Sequence, residues 1–546
     1  MKKQQFFITV FFLVWLTYAK AQWSTSPMVN SAISLNNAAG DPNIISDGIG
    51  GAIITWRDSR SGNYDIYAQR ISASGVIQWT NNGVAICNVG YNQVSPKIVS
   101  DNSGGAIITW MDIRNGSDWD IYAQRINASG VVQWNTNGIV VCSATDDQYF
   151  PRLISDGSEG AIITWGDYRS GTWDIYTQRI NASGIVQWII DGVALCNALG
   201  GQFYPVIVSD NAGGAIVTWE DERVTTGADI YAQHIDAMGV VQWLVDGVSV
   251  CNSIGYEADP TISTDGMGGA IIAWNDYRPG TNQQIYAQRI NATGVAQWIT
   301  NGIQCSDTGY MYYPKIVSDG MGGAIITWHQ IMNISDHDVY AQNINSTGVV
   351  QWPANGVVIC SAIGIQRNPT IIYDSNGGTI IAWYDNRTGI DFDIYIQKIN
   401  AAGVVQWPTD GVALCTALND QTQNNIISDG SGGAIVAWFD LRNAGDIYAQ
   451  NICSSGILGC TSSVSEQTDK NELSLYPNPS RGTITIHSVK EGDYSIYNEM
   501  GQTIQSINLN NSNNFTTTIN NFKNGIYFIV GMNNNKPVYQ KAVVIK

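Results

Sequence analysis

Ala106-Ile-Ile-Thr-Trp110 is followed, past a loop, by Asp120-Ile-Tyr-Ala-Gln-Arg-Ile126, a turn Asn127-Ala-Ser-Gly130, and Val131-Val-Gln-Trp134. This stretch returns along most of the chain. Its first tryptophan recurs as Trp56, Trp110, Trp165, Trp219, Trp274, Trp328, Trp383 and Trp438, at steps of 54 or 55 residues. Its second recurs as Trp79, Trp134, Trp188, Trp243, Trp298, Trp352 and Trp407. The eighth repeat carries Cys460 instead, and an unmatched Gln22-Trp23 stands before the first repeat.

Each unit reads as four strands. In residues 96–150 they are expected at Pro96–Ser100, Ala106–Trp110, Asp120–Ile126 and from Val131 to Cys142. The β-branched and aromatic enrichment between Gly- and Asn-rich turns is the strand signature, and helical periodicity is absent. Repeats of this size with four antiparallel strands build propeller blades. A ring must close, and residues from 22 onward supply the outer strand that the eighth unit lacks. Complementary half-units argue against an open solenoid, which needs caps at both ends. The expected fold is all-β: an eight-bladed β-propeller of four-stranded blades, followed by a small β-sandwich domain.

Lys2 and Lys3, the apolar run Phe6–Leu16 and Ala19-Lys20-Ala21 have the layout of a signal peptide over residues 1–21. The run is too short for a stable membrane span, and no other long apolar segment follows. Removing the three lysines of this leader takes the net charge from -18 to -21. So acidic a chain does not suit nucleic acid or anionic membrane as partners, because phosphate binding needs a basic face. The expected organisation is a signal peptide (1–21), a propeller of eight repeats (22–460), a polar linker (461–471) and a separate C-terminal domain (472–546).

Repetition filters the chemistry. Trp-x-Asp-x-Arg occurs in seven of eight units and is expected to build the blade, with Arg pairing to carboxylate across a hairpin mouth. The turn acids, Asp101 and its equivalents, are read as turn formers, with calcium ligation as the minority alternative and no other cofactor expected. Seven cysteines share one repeat position (Cys87, Cys142, Cys196, Cys251, Cys305, Cys360 and Cys415), one per blade, too far apart to bridge. They are expected as buried free thiols. Cys453 and Cys460 depart from the pattern and are the disulfide candidate.

Binding is expected where symmetry breaks. The residues that precede strand one are Asp41, Ser95, Phe150, Tyr204, Asp259, Tyr313, Asn368 and Gln423, and they are expected to ring the mouth of the central channel. A second variable loop offers Tyr64, Trp119, Trp173 and Phe392. Aromatic faces with nearby acids and amides suit sugar rings; the alternative is that these aromatics pack between blades. His329 and His337, in the deviant sixth unit, are read as a drifted structural motif, with ligands or an acid–base pair as the alternatives. The leading expectation is a non-enzymatic module binding a glycan or another surface partner. The alternatives are a glycan-degrading hydrolase or lyase using mouth carboxylates such as Asp259 and Asp41, and a structural or adhesive scaffold.

The C-terminal region has its own vocabulary. Tyr476-Pro477-Asn478-Pro479-Ser-Arg-Gly482 opens it, Gly525-Ile-Tyr-Phe-Ile529 lies within it, and Lys541-Ala-Val-Val-Ile-Lys546 ends it. These words resemble the type A C-terminal sorting domain of the type IX secretion system of Bacteroidetes. The resemblance implies passage through the periplasm, handling by the type IX secretion machinery, and release from or attachment to the cell surface. It implies nothing about the propeller's ligand.

Overall fold

A computed structural model of the chain describes residues 23–459 and 473–544, apart from 37, 225–226, 281, 307–308, 375, 478–479, 489–490, 499–502 and 534–535. The chain divides into two compact units, Met1–Thr461 and Ser462–Lys546. The expected signal peptide and linker, Gln22, Cys460, Asn478, Pro479 and Lys546 lie outside the described residues.

The first unit is an eight-bladed β-propeller. Blade 1 is the antiparallel meander Ala39–Ser46, Ala52–Asp58, Asp65–Ile71 and Val84–Cys87. Six more blades repeat it, and blade 8 comprises Gln421–Ser428, Ala434–Asp440 and Asp446–Ile452. Its fourth strand comes from the other end of the chain: Ser31–Ser34 pairs with Asp446–Ile452, with Ser31 opposite Ala449. First strands of successive blades lie against one another around the whole circle, blade 8 returning to blade 1, so they form the inner wall. The third strand of blade 8 is thereby covered, and the blade has four strands like the others.

Two tryptophan columns hold the blades. The first is buried: Trp110 is 0 % exposed and its Nε1 donates to Asp112 at 2.8 Å. Asp112 also accepts from Arg114 at 2.5 Å, and that guanidinium lies 3.7 Å from the Tyr122 ring centre while donating to Asn137 O. The repeated Trp-x-Asp-x-Arg word is thus an intrablade clamp. The second column ties each blade to the next. Trp134 Nε1 donates to Ala182 O at 3.0 Å, against the turn that ends in Gly184. Trp23 makes the same bond to Ala73 O at 2.9 Å and is 1 % exposed, so Trp23 supplies the copy missing from blade 8.

Two strand boundaries differ from expectation. The fourth strand is not continuous from Val131 to Cys142. Val132 makes an isolated bridge to Ile126, a turn follows, and the strand proper is Ile139–Cys142. The break sits at Gly138 (φ 90°), whose missing side chain leaves room for the first tryptophan: a Cβ there would lie 2.5 Å from Trp110 Cη2. The first strand begins earlier than expected, at Gln93 rather than Pro96, and contains a bulge. The turn acids behave as turn formers. Asp101 Oδ1 accepts the N–H groups of Ser103 and Gly105 at 2.8 Å, and Oδ2 pairs with Arg125. The seven repeat cysteines are free and buried. Cys453 is disulfide-bonded.

The second unit is a small β-sandwich. A three-stranded sheet (Leu473–Tyr476, Ile484–Ser488, Thr516–Ile519) and a four-stranded sheet (Gly492–Asn498, Thr503–Leu509, Gly525–Asn533, Lys536–Val544) enclose one core that includes Ile486, Ile496, Tyr494, Phe522 and Ile529.

Candidate functional site

The four-stranded meander puts its turns on two faces. Turns between strands one and two and between strands three and four share one face. There Arg70 reaches Asp47 at 2.9 Å and Ala128 O of the next blade at 2.9 Å. The other face carries the loops between strands two and three and the passages into the next blade, where Asn63 Nδ2 donates to Val89 O at 3.1 Å. Expected site residues lie on this second face.

Asp41, Ser95, Phe150, Tyr204, Asp259, Tyr313, Asn368 and Gln423 do not precede strand one; they lie inside it, one per blade. Each sits at a break in register: Tyr149 pairs with Gly166 and Arg152 with Thr164, leaving Phe150 and Pro151 unpaired. All eight are left-handed, with φ between 52° and 57°. That conformation costs roughly 1–2 kcal/mol for a residue with a Cβ, and bulky side chains adopt it rarely. Bulges re-aim side chains and collect near functional sites. Here they turn Phe150 (42 % exposed), Tyr204 (51 %) and Tyr313 (48 %) out to solvent.

A second column completes the mouth, and sequence reasoning missed it. It is the variable residue directly after each buried tryptophan. Within a blade it braces the bulge: Arg57 pairs with Asp41 at 2.9 Å, Asn275 Nδ2 donates to Asp259 at 2.7 Å, and Tyr384 OH accepts from Asn368. Between blades it accepts the bulge N–H. Glu220 Oε1 takes that of Asp259 at 2.7 Å, and His329 Nδ1 faces that of Asn368 at 3.5 Å. The x of Trp-x-Asp-x-Arg was the signal, since it varies inside an otherwise fixed word.

The aromatic candidates divide. Phe150 and Tyr204 touch across the blade 3–blade 4 boundary with centroids 5.4 Å apart. Tyr149 stacks on Trp173 at 5.2 Å and lies 6.4 Å from Trp119, while Tyr312 and Tyr313 stack on His329 at 5.8 and 5.7 Å. Trp119, Trp173 and Phe392 are half-buried; Trp119 and Phe392 pack against the cores between blades, and Trp173 lies against Tyr149 and Tyr168. Tyr64 is 36 % exposed beneath the Arg57 guanidinium. The exposed rings at the bulges therefore form an arc over blades 3 to 6, whereas the bulge residues of blades 7, 8, 1 and 2 are Asn368, Gln423, Asp41 and Ser95, with Tyr64 and Tyr91 exposed on the loops of blade 1.

Ionisation is uneven around the mouth. Burial, reinforced by the neighbouring charges of Asp259 and Glu222, pushes the Glu220 carboxyl up to about 7. Burial takes His329 down to about 3, with His337 and Arg367 adding to it, so this imidazole is neutral. His337 stacks parallel to it at 5.7 Å. Asp41 and Asp259 do not form a pair: they belong to blades 1 and 5, on opposite sides of the ring, and Asp41 is held by Arg57. Away from the mouth, Cys251, Glu257 and Asp276 place ligand atoms within 4.8 Å of one another. Arg278 already holds Asp276 at 2.6 Å and Ser253 holds Glu257 at 2.7 Å.

In the second unit, Tyr476 ends the first strand, Gly482 O accepts from Phe522 N–H at 3.0 Å, and Lys541 is opposite Phe528 on the last strand. Residues 474–546 match the family described as the secretion system C-terminal sorting domain. They are a type IX sorting domain. The protein is accordingly exported, to the cell surface or beyond it, through the type IX machinery. No helix among the described residues is long and apolar enough to cross a membrane. The sorting domain is a small part of the chain and leaves the propeller's task open.

No curated protein matches the chain. Among solved structures it is similar to an ulvan lyase bound to -[GlcA(1-4)Rha3S]- (TM-score 0.45, 10% identity, 78% of this chain and 96% of that one). It is also similar to an alpha-L-arabinanase of Penicillium chrysogenum (TM-score 0.34, 11% identity, 57% and 94%). A puromycin hydrolase matches with TM-score 0.40 and 10% identity over 73% of this chain, which spans 58% of that protein's length. Likeness this distant carries no argument about activity.

Proposed function

We propose that the exported propeller is a non-enzymatic module that binds glycan chains on its bulged face. The observation that carries this reading is the Phe150–Tyr204 pair: two solvent-facing rings from adjacent blades, each held in a left-handed bulge. Rings so placed supply apolar area to the face of a sugar, while Asp259 and Asn368 beside the arc orient hydroxyl groups. Maintaining an uncommon backbone conformation eight times around one face, with different side chains, fits a scaffold that presents variable groups.

The test is retention of the protein on a panel of immobilised polysaccharides, with reducing ends assayed in the same samples. Retention without release, weakened at least about tenfold by Tyr204→Ala or Tyr313→Ala, is expected, in line with the loss of one stacked ring. Absence of retention across the panel would leave the scaffold reading.

Glycan cleavage is the second reading, and Glu220 favours it. A carboxyl group near 7, beside the Asp259 backbone and close to Tyr256, has the protonation a general acid needs. The same group also accepts the Asp259 N–H, a structural task that His329 performs for Asn368 in blade 7. Release of reducing ends that disappears in Glu220→Gln would make the protein an enzyme.

A further inference from the structure

Among the described residues, three basic residues at one repeat position of the inner wall stand outside any ion pair. Two residues after each bulge the first strand carries Asn43, Lys97, Arg152, Val206, Thr261, Lys315, Thr370 or Asn425. This column runs along the lumen. Asn43 Nδ2 reaches across to Pro96 O at 3.0 Å, and Asn425 Nδ2 to Pro42 O at 2.8 Å, each on the next first strand. Lys97, Arg152 and Lys315 stand on blades 2, 3 and 6.

Most described cations of the propeller are paired: the clamp arginines hold Asp58, Asp112, Asp167, Asp221, Asp276, Asp385 and Asp440. Among the described residues, Lys97, Arg152 and Lys315 have no carboxylate within ion-pair distance; Arg152 donates only to Pro151 O at 3.2 Å. Asp41 acts favourably on Lys97 and Asp259 on Lys315, both short of pairing, and the basic groups also act on one another. Arg152 acts on Lys97 next door and on Lys315 three blades away, so its field crosses the lumen. Lys315 reaches solvent, and partial desolvation by the surrounding strands draws its ammonium down. Burial takes Lys97 down to about 7, with the Arg152 charge adding to it.

Three basic groups gathered on one wall, offset only by the more distant Asp41 and Asp259, repel one another. An anion entering at this level relieves both the repulsion and the unmet hydrogen-bonding capacity. Directly above stand the bulge residues, with Phe150 two positions from Arg152 and Tyr313 two from Lys315. We propose that Lys97, Arg152 and Lys315 form an anion site in the lumen, and that it selects acidic glycans by holding a sugar carboxylate or sulfate below the aromatic arc. The proposal rests on the glycan reading and narrows it to a class of ligand.

The test measures affinity of the protein for oligosaccharides of alginate (carboxylate), carrageenan (sulfate) and laminarin (neutral). Anionic chains are expected to bind at least about tenfold tighter than laminarin, with affinity that falls as salt is raised. Lys97→Met/Arg152→Met/Lys315→Met together should remove that preference and leave laminarin binding unchanged. Alginate and carrageenan separate the two anions: preference for one assigns the site to its group, and preference for both assigns it to charge alone. Equal affinity for neutral and anionic chains, a salt-independent preference, or a triple variant that keeps the preference would overturn the anion site and leave the glycan reading standing. Binding of none of the three would overturn both. Salt dependence of the unaltered protein keeps the test decisive if the triple variant does not fold.

Discussion

The two faces of the propeller are built from the same eight repeats and are used differently. On the short-turn face one solution recurs: an aspartate satisfies its own turn and, in six of the eight blades, pairs across to a basic residue, as in Asp101–Arg125 and Asp156–Arg179. On the bulged face the backbone is equally repetitive, but the side chains run from Asp and Ser to Phe and Tyr. Constant backbone with constant side chains serves closure and stability. Constant backbone with changing side chains serves recognition, because each blade then offers its own group at a fixed place.

Altering the constant parts should have the largest effects. Trp23→Ala removes the buried ring and the Ala73 bond that join blade 8 to blade 1; the expected loss is about 3–5 kcal/mol, typical of a buried tryptophan, visible in chemical denaturation. An unchanged midpoint would mean that the N-terminal segment does not close the ring. Gly138→Ala should follow, at roughly 2–3 kcal/mol, because it adds left-handed strain to a clash with Trp110. On the bulged face the sign should reverse. Tyr204→Gly should be more stable than Tyr204→Ala by about 1 kcal/mol, since glycine relieves the positive φ while both variants lose the ring. If alanine is equally stable, the bulge stores no strain.

The smallest effect concerns pH. Burial pushes the Asp120 carboxyl up to about 7, with Asp112 and Asp118 nearby adding to it. A raised acid pKa favours the folded state fully below the unfolded value near 4 and loses that contribution as pH rises through about 7. Melting temperature should therefore decline between those limits, and Asp120→Asn should flatten the decline. Parallel curves would show that Asp120 titrates normally.

How much the sequence discloses follows the same division. Tryptophan spacing reveals blade number, and the half-repeat at Trp23 reveals closure, because burying a large ring at each junction leaves a periodic mark. Strand four is misread because Asn137-Gly138 breaks it for the sake of Trp110, a tertiary demand that local propensity does not contain. The bulges are hidden for a related reason: Phe150 and Tyr204 have no intrinsic preference for left-handed backbone, so a loop before proline is the natural reading. The brace column is visible only as variation after each buried tryptophan, and its members Glu220 and His329 gain meaning from the neighbouring blade. Lys97, Arg152 and Lys315 look like ordinary polar positions until the ring folds them onto one wall.

The central claim is that the bulged face, and not the short-turn face, binds glycan. It is tested most directly by comparing Phe150→Ala/Tyr204→Ala with Val131→Ala/Ile185→Ala, which removes exposed apolar groups (55 and 60 % exposed) beside the short turns, in the same polysaccharide retention assay. The account predicts that the first pair abolishes retention and the second leaves it intact. Retention that survives the first pair, or falls with the second, would contradict it.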